Sequence, residues 1–318
     1  MTRARIAVAL FAVACAIPAA IYADEAIPPR TTLTLERVID MPGTNGGMSR
    51  LLRRITGRSE EPLFARPYGV AWDGDSLVVT DPGAGRVVRV EPTGRVVLSP
   101  VIDDGEPIGV AVCEGRILVT DARRGRVDEL DRRLRPVAVI AEGLDRPTGV
   151  ACAGNLVLVA ETGAHQLIEI ARDGTRRAIG SRGSGIGQFN FPVSIAVRGG
   201  AIYAGDSMNF RIQKGDLATG KFTSAFGGLG DAHGELPRLK GIAIDESGNL
   251  WITDAHLNEI AAYGPDGRYL ASFAGPGGED GDFSFPAGIA ISAKGSIAVA
   301  DSLNRKVLVF ATRSEGPR

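Results

Sequence analysis

Hydrophobic positions along this chain come in short bursts broken by Gly, Asp and Asn, and the bursts repeat. Arg66-Pro-Tyr-Gly-Val-Ala-Trp72 recurs as Glu106-Pro-Ile-Gly-Val-Ala-Val112, Arg146-Pro-Thr-Gly-Val-Ala-Cys152 and Phe191-Pro-Val-Ser-Ile-Ala-Val197. Two further copies are Lys240-Gly-Ile-Ala-Ile244 and Phe285-Pro-Ala-Gly-Ile-Ala-Ile291. Each is followed by a second apolar run that ends on an acid: Asp81, Asp121, Glu161, Asp206, Asp254 and Asp301. A third, alternating run follows, and a fourth comes after a glycine turn, as in Gly94-Arg-Val-Val-Leu98. Prolines at 67, 107, 147, 192, 237 and 286 mark the period. Four short alternating strands per 40 to 49 residues, repeated six times, predict an all-β, six-bladed β-propeller with four antiparallel strands per blade. The first strand of each repeat is small because six inner strands crowd round one axis.

The ends of the pattern carry information. After Phe310 only a polar tail remains (312–318), so the sixth repeat lacks its fourth strand. Residues 32–40, Thr-Leu-Thr-Leu-Glu-Arg-Val-Ile-Asp, alternate like a strand but precede the first repeat. This segment is expected to complete blade six, which removes an exposed edge. The propeller therefore covers 32–311, with blades starting near 66, 106, 146, 191, 236 and 285. Between the closing strand and blade one, Met48, Leu51, Leu52 and Ile55 have helical spacing, predicting a short helix over about 47–58. Arg50, Arg53, Arg54 and Arg58 form its basic face. Packing across a propeller face is the plainer role; docking to an acidic partner or a membrane surface is the functional one.

Ahead of the repeats, Thr2-Arg3-Ala4-Arg5 is basic, Ile6 to Ala23 is apolar and Asp24-Glu25 ends the run. That is the plan of a secretory signal peptide, with cleavage expected after Ala23 and a leader over 24–31. The expected location is periplasmic or secreted, with no membrane contact beyond the signal segment. The alternative is an uncleaved anchor.

Composition narrows the function. The 318 residues include 42 glycines and carry a formal charge of −1. Loss of residues 1–23 leaves 34 basic against 37 acidic side chains. A near-neutral chain lacks the basic footprint of a nucleic-acid binder. Beyond Cys15 two cysteines remain, Cys113 and Cys152, one position out of register in neighbouring repeats. Facing opposite ways, they read more plainly as buried free thiols than as a disulfide. The six recurrent acids end strands before tight turns, where a carboxylate accepts backbone N–H groups. Arg86, Arg126, Arg211 and Lys306, five residues on, are placed to pair with them; Gln166 and Glu259 break that pattern. A structural role for the acids is the stronger reading, a cation-binding ring the weaker.

Asp206-Ser-Met-Asn-Phe-Arg-Ile-Gln213 and Asp301-Ser-Leu-Asn-Arg-Lys-Val-Leu-Val-Phe310 resemble the core of NHL repeats. Gly183-Ser-Gly-Ile-Gly-Gln-Phe-Asn-Phe-Pro192 and Gly278-Glu-Asp-Gly-Asp-Phe-Ser-Phe-Pro286 resemble the glycine-rich loop that leads into an NHL blade. The resemblance is closest to bacterial exported NHL proteins of the TolB-like propeller superfamily. It implies phenylalanines wedged between blades, a reading that suits Phe191 and Phe285 beside their prolines. Phe189 and Phe283 are left open, and with Tyr68 and Phe210 they make a candidate binding patch. Some such proteins sit beside multihaem cytochrome systems, so an envelope protein or peptide, or a multihaem cytochrome, is the implied partner class. A monomer is expected.

Enzymes of related architecture supply the contrary expectation. Lyases hold zinc through inner-strand histidines, and lactonases use Glu, Asn and Asp. Zinc chemistry needs about three protein ligands and one open position. The chain has three histidines, His165, His233 and His256, none on an inner strand. His165 and His256, in turns after the acids, are weak metal candidates and otherwise surface histidines. The residues two after each blade proline are Gly69, Gly109, Gly149, Ser194, Leu239 and Gly288, which offer little to a metal. No catalytic residue is assigned and no cofactor is expected, with calcium and zinc left open. A binding or scaffolding module is the favoured function; a metal-dependent lyase or lactonase in the central channel is the alternative.

Overall fold

The computed structural model describes residues 30–40, 62–273 and 283–315. The signal segment expected over 1–23, the expected leader 24–31 up to residue 29 and the helix expected over 47–58, with Arg50, Arg53 and Arg54, lie outside them. The described residues form six four-stranded antiparallel sheets, one per repeat. Blade one runs from inner to outer edge as Val70–Asp73, Ser76–Asp81, Arg86–Val90 and Val96–Leu98. The second strand of that blade is buried throughout, whereas the outer strand of blade two, Pro136–Ala141, is largely exposed. A strand covered on both faces reads as an unbroken apolar run, and one at the rim does not.

Blade six is completed as expected. Arg30–Ile39 pairs antiparallel with Lys306–Glu315, so the two ends of the ring share one sheet. Val38 and Ile39 are buried there, on either side of the sheet, in the cores that blade six shares with blades five and one. The same seam carries bonds from Trp72 Nε1 to the Ala290 carbonyl (3.3 Å) and from Arg305 Nε to the Phe64 carbonyl (3.1 Å).

Five inner strands share one irregularity. Pairing slips between Pro107 and Val110, Pro147 and Val150, Pro192 and Ser194, Leu239 and Ile242, and Pro286 and Ile289. Leu239 pairs with Asp254 as each proline pairs with its own acid, so Leu239 holds the proline's place in blade five. Gly241, not Leu239, is therefore the equivalent of Gly69 and Gly109. Pro237 misleads because it lies two residues upstream.

Two expectations are overturned by the way blades stack. Cys113 and Cys152 are joined in a disulfide, with Cα atoms 6.0 Å apart. Successive blades pack face to back, so cysteines on opposite faces of neighbouring sheets point into the same interface. The other reversal concerns the loop phenylalanines. Phe189 is buried against Phe222 (ring centres 5.1 Å apart), and Phe283 is buried against Phe310 (5.8 Å). These two are the wedges between blades and present no ring to solvent. Phe191 is 37 % exposed, and Phe285 is half-buried.

Candidate functional site

The axis of the ring has two parts, a throat and a mouth. Gly69, Gly109, Gly149, Ser194, Gly241 and Gly288, one per inner strand, line the throat. Its volume is about 80 Å³. That admits a few waters and lies far below the roughly 300 Å³ at which ligand pockets begin. The constriction is made of backbone. A Cβ on Gly109 would lie 2.1 Å from the Thr148 carbonyl oxygen of the next blade, and one on Gly288 2.5 Å from that of Tyr68.

Hydroxyls tie the throat together where the inner strands bulge. In blade one the Gly69 N–H donates to Thr80 Oγ1 (2.7 Å), and that hydroxyl donates to the Ile108 carbonyl of blade two (2.6 Å). Gly109 and Thr120 repeat the device towards Thr148, and Gly241 and Thr253 repeat it towards Ala287. Blades three, four and six place Ala160, Gly205 and Ala300 where those threonines stand. There the bond to the next blade comes from Thr162 to the Pro192 carbonyl, from the Ile242 N–H to Ser194 Oγ, and from Ser302 to the Pro67 carbonyl.

Directly outside the throat the channel widens to a cavity of about 380 Å³. Its rim is set by the residue just before each inner strand. Read round the ring, that position is Arg66, Glu106, Arg146, Phe191, Arg238 and Phe285, and all of these but Arg238 line the cavity. A second tier one step further in, including Tyr68, Ile108, Thr148 and Lys240, belongs to mouth and throat alike. Arg238 lies over the Phe285 ring at 4.9 Å, and Lys240 lies over it at 5.4 Å. Arg66, Arg146, Arg238 and Lys240 make no ion pair among the described residues. Burial pulls the Lys240 amine down to about 8, and the neighbouring Arg238 adds to that. Burial also raises the Tyr68 phenol above its ordinary range, against the opposing pull of Arg66, Arg146 and Arg238.

The six acids hold this rim from beneath. Asp81 accepts the N–H groups of Ala65 (2.7 Å) and Arg66 (2.8 Å), and Asp254 accepts that of Arg238 (2.7 Å). Asp121 accepts the N–H of Glu106 (2.9 Å). In the other blades the donor is one residue earlier: Asp145 to Glu161, Asn190 to Asp206 and Ser284 to Asp301. Pairing with the cation five residues on is partial. Arg211 bonds Asp206 at 2.9 Å and Lys306 approaches Asp301 at 3.9 Å, whereas Arg126 turns to Asp128 at 2.9 Å. All six acids thus accept backbone N–H groups of the turns, Asp121 through Oδ1 alone, and no group of three His, Cys, Asp or Glu able to hold a metal occurs among the described residues.

The histidines divide. His165 is buried, not a surface residue; its Nδ1 accepts the Phe191 N–H at 3.2 Å, and its ring packs on that phenylalanine at 4.3 Å. Asn258 does the same for Phe285, accepting its N–H at 2.9 Å. Phe191 and Phe285 both have positive φ (54° and 61°), a conformation that bulky residues adopt only when the surroundings enforce it. His256 is exposed and only its backbone N–H is engaged, by Asp254 at 2.8 Å. Tyr68 lies at the mouth, as the proposed patch requires; Phe210 closes a turn after Ser207–Asn209 and does not line the cavity. Arginines of the rim were not singled out by motif. The signal that finds them is a column: the residue before each inner strand, compared across six repeats.

The architecture is that of a six-bladed β-propeller. The chain matches no family model and no curated protein. Solved structures similar to it include a protein of unknown function from Bacteroides thetaiotaomicron, at 13 % identity and a TM-score of 0.69 over 89 % of this chain and 77 % of that one. A streptogramin B lyase is similar at 15 % identity and a TM-score of 0.60, over 92 % of this chain and all of that one. A gluconolactonase from Xanthomonas campestris matches at 12 % identity and 0.63, over 89 % of this chain and all of its own. Likeness at this level carries the fold and no activity.

Proposed function

We propose that this chain is an exported, NHL-type propeller that binds a protein or peptide partner over the mouth of its axial channel. The observation that carries the reading is the convergence of five of the six equivalent rim positions on one cavity, with the sixth, Arg238, stacked on Phe285 and arginine and aromatic side chains turned to solvent. Those residue types are the ones enriched where proteins bind one another. The rim is also pre-organised: buried carboxylates, His165 and Asn258 hold its backbone before any ligand arrives. The basic and apolar leader supports export, and the NHL resemblance supports an envelope partner, a multihaem cytochrome among the candidates.

The test is affinity capture from envelope extract with the mature protein and with a Phe191→Ala/Phe285→Ala variant. A specific partner retained by the first and lost by the second is the expected result. No specific partner, or equal capture by both, overturns the reading. Stoichiometric zinc or calcium in the purified protein would favour the metal-dependent lyase or lactonase instead.

A further inference from the structure

Cations alternate round the mouth. Arg66, Arg146 and Arg238 stand on blades one, three and five, and Lys240 adds a second-tier charge on blade five. Glu106 is the one acid at the six rim positions. The chain as a whole is near neutral, so this is a local concentration of positive charge and not a property of the surface at large. None of the four forms an ion pair among the described residues, and the carboxylates beneath the rim are engaged by its backbone. Elsewhere arginines do find carboxylates: Arg89 meets Asp73 at 2.9 Å, Arg116 meets Glu129 at 2.9 Å and Arg177 meets Glu169 at 2.6 Å. Beside the larger effect of burial, and against the pull of Asp254, the neighbouring Arg238, Arg146 and Arg66 disfavour the Lys240 cation, so gathering like charge here has a cost. A bound anion removes it.

We infer that the mouth is a docking site for an acidic peptide segment of the partner, one that carries side-chain carboxylates together with an apolar residue. The proposal rests on the binding role above and adds the partner's chemistry. Across a six-bladed ring each blade faces the third one on, so Arg66 faces Phe191 and Arg146 faces Phe285. A chain crossing the axis meets a guanidinium on one side and a ring on the other. Carboxylate and apolar side chains a few positions apart satisfy both, and a guanidinium fork suits a carboxylate bidentately. The exposure of Arg66, Arg146 and Arg238 favours a segment laid across the mouth. A small ligand would instead be enclosed over most of its surface.

The probe is a fluorescent peptide Gly-Glu-Asp-Phe-Glu-Asp-Gly, with Gly-Gln-Asn-Phe-Gln-Asn-Gly as its neutral twin. Binding to the mature protein is measured at low and at moderate salt. The mouth variant is Arg66→Glu/Arg146→Glu/Arg238→Glu. A control of equal net charge is Arg133→Glu/Arg172→Glu/Arg268→Glu, exposed arginines outside the mouth. Melting curves confirm that both are folded. The acidic peptide is expected to bind at least tenfold more tightly than its twin and to weaken as salt shortens the screening length. The mouth variant should lose about tenfold or more while the control keeps its affinity. No binding, equal binding of the twin, or equal loss in both variants overturns the proposal. So does citrate binding as tightly as the peptide, which would make the ligand a free polycarboxylate. An extract partner captured equally by wild type and the mouth variant also overturns it; if Phe191→Ala/Phe285→Ala still loses that partner, the binding role at the mouth stands without the acidic segment.

Discussion

The throat and the mouth are consecutive stretches of the same six strands, yet they are built from opposite materials. The throat is glycine, backbone and hydroxyl, closed to about 80 Å³; the mouth is arginine, lysine and phenylalanine, open to about 380 Å³. In the throat, threonine hydroxyls accept the glycine N–H of their own blade and donate to a carbonyl of the next, so its chemistry is spent on closing the ring. In the mouth, four cations make no ion pair among the described residues, and two aromatic residues are held at positive φ by neighbouring blades. The difference separates residues that make the propeller from residues available to a partner.

The sharpest way to break this contrast is to put a side chain into the throat. Gly109→Val places a Cβ 2.1 Å from the Thr148 carbonyl oxygen, and backbone cannot move aside as a side chain can. A loss of roughly 3 kcal/mol or more is expected, against the usual 1–3 for overpacking. Circular dichroism melts should show a collapse of thermal stability or no soluble protein. A variant that melts like wild type would mean that the throat is wider and softer than described. A milder test is Thr80→Val, which keeps the shape and removes the hydroxyl between Gly69 and Ile108. Two buried backbone groups lose their partner at about 1–3 kcal/mol each, so a loss of roughly 2–6 kcal/mol in urea unfolding is expected. Peptide binding by the folded fraction should not change. If it falls with stability, throat and mouth are not separable.

Much of this division was legible in the sequence. Six repeats, the strand order and the closing strand before blade one follow from the pattern of apolar runs and from the missing fourth strand after Phe310. What escaped depended on relations between blades. The cysteines were assigned opposite faces correctly, but the conclusion needed face-to-back stacking, which no single sheet reveals. The Phe-x-Phe-Pro loops gave the right residue type at the wrong position: the buried wedge is Phe189 or Phe283, because Asp206 and Asp301 seize the backbone just before Phe191 and Phe285 and turn those rings outward. Pro237 displaced the blade-five register by two residues and hid Gly241. Arg66 and Arg146 stand in the quoted repeats and Arg238 lies two residues before the fifth, yet charge on a rim acquires meaning only once alternate blades are known to converge.

The finest test of the contrast uses the residue common to both parts. Lys240 reaches from the throat to the mouth, and its amine titrates near 8 because burial and neighbouring cations disfavour its charged form. In the unfolded chain a lysine keeps its proton to about 10.4. Between these two values the unfolded state binds more protons than the folded one, so stability rises with pH across that window. Below about 8 the folded state bears the full cost of the cation. Lys240→Met removes this group, so it should be more stable than wild type at pH 7 by on the order of 2 kcal/mol, and the advantage should shrink towards pH 10. Urea unfolding at the two pH values measures it; an equal difference at both would show that packing, not charge, sets the effect. Binding should move the other way. An acidic peptide restores the value of the proton on Lys240, so wild-type affinity should fall as pH rises through about 8 while the Lys240→Met affinity stays flat. A group that costs the free protein stability and returns it on binding belongs to the mouth, whatever strand supplies it.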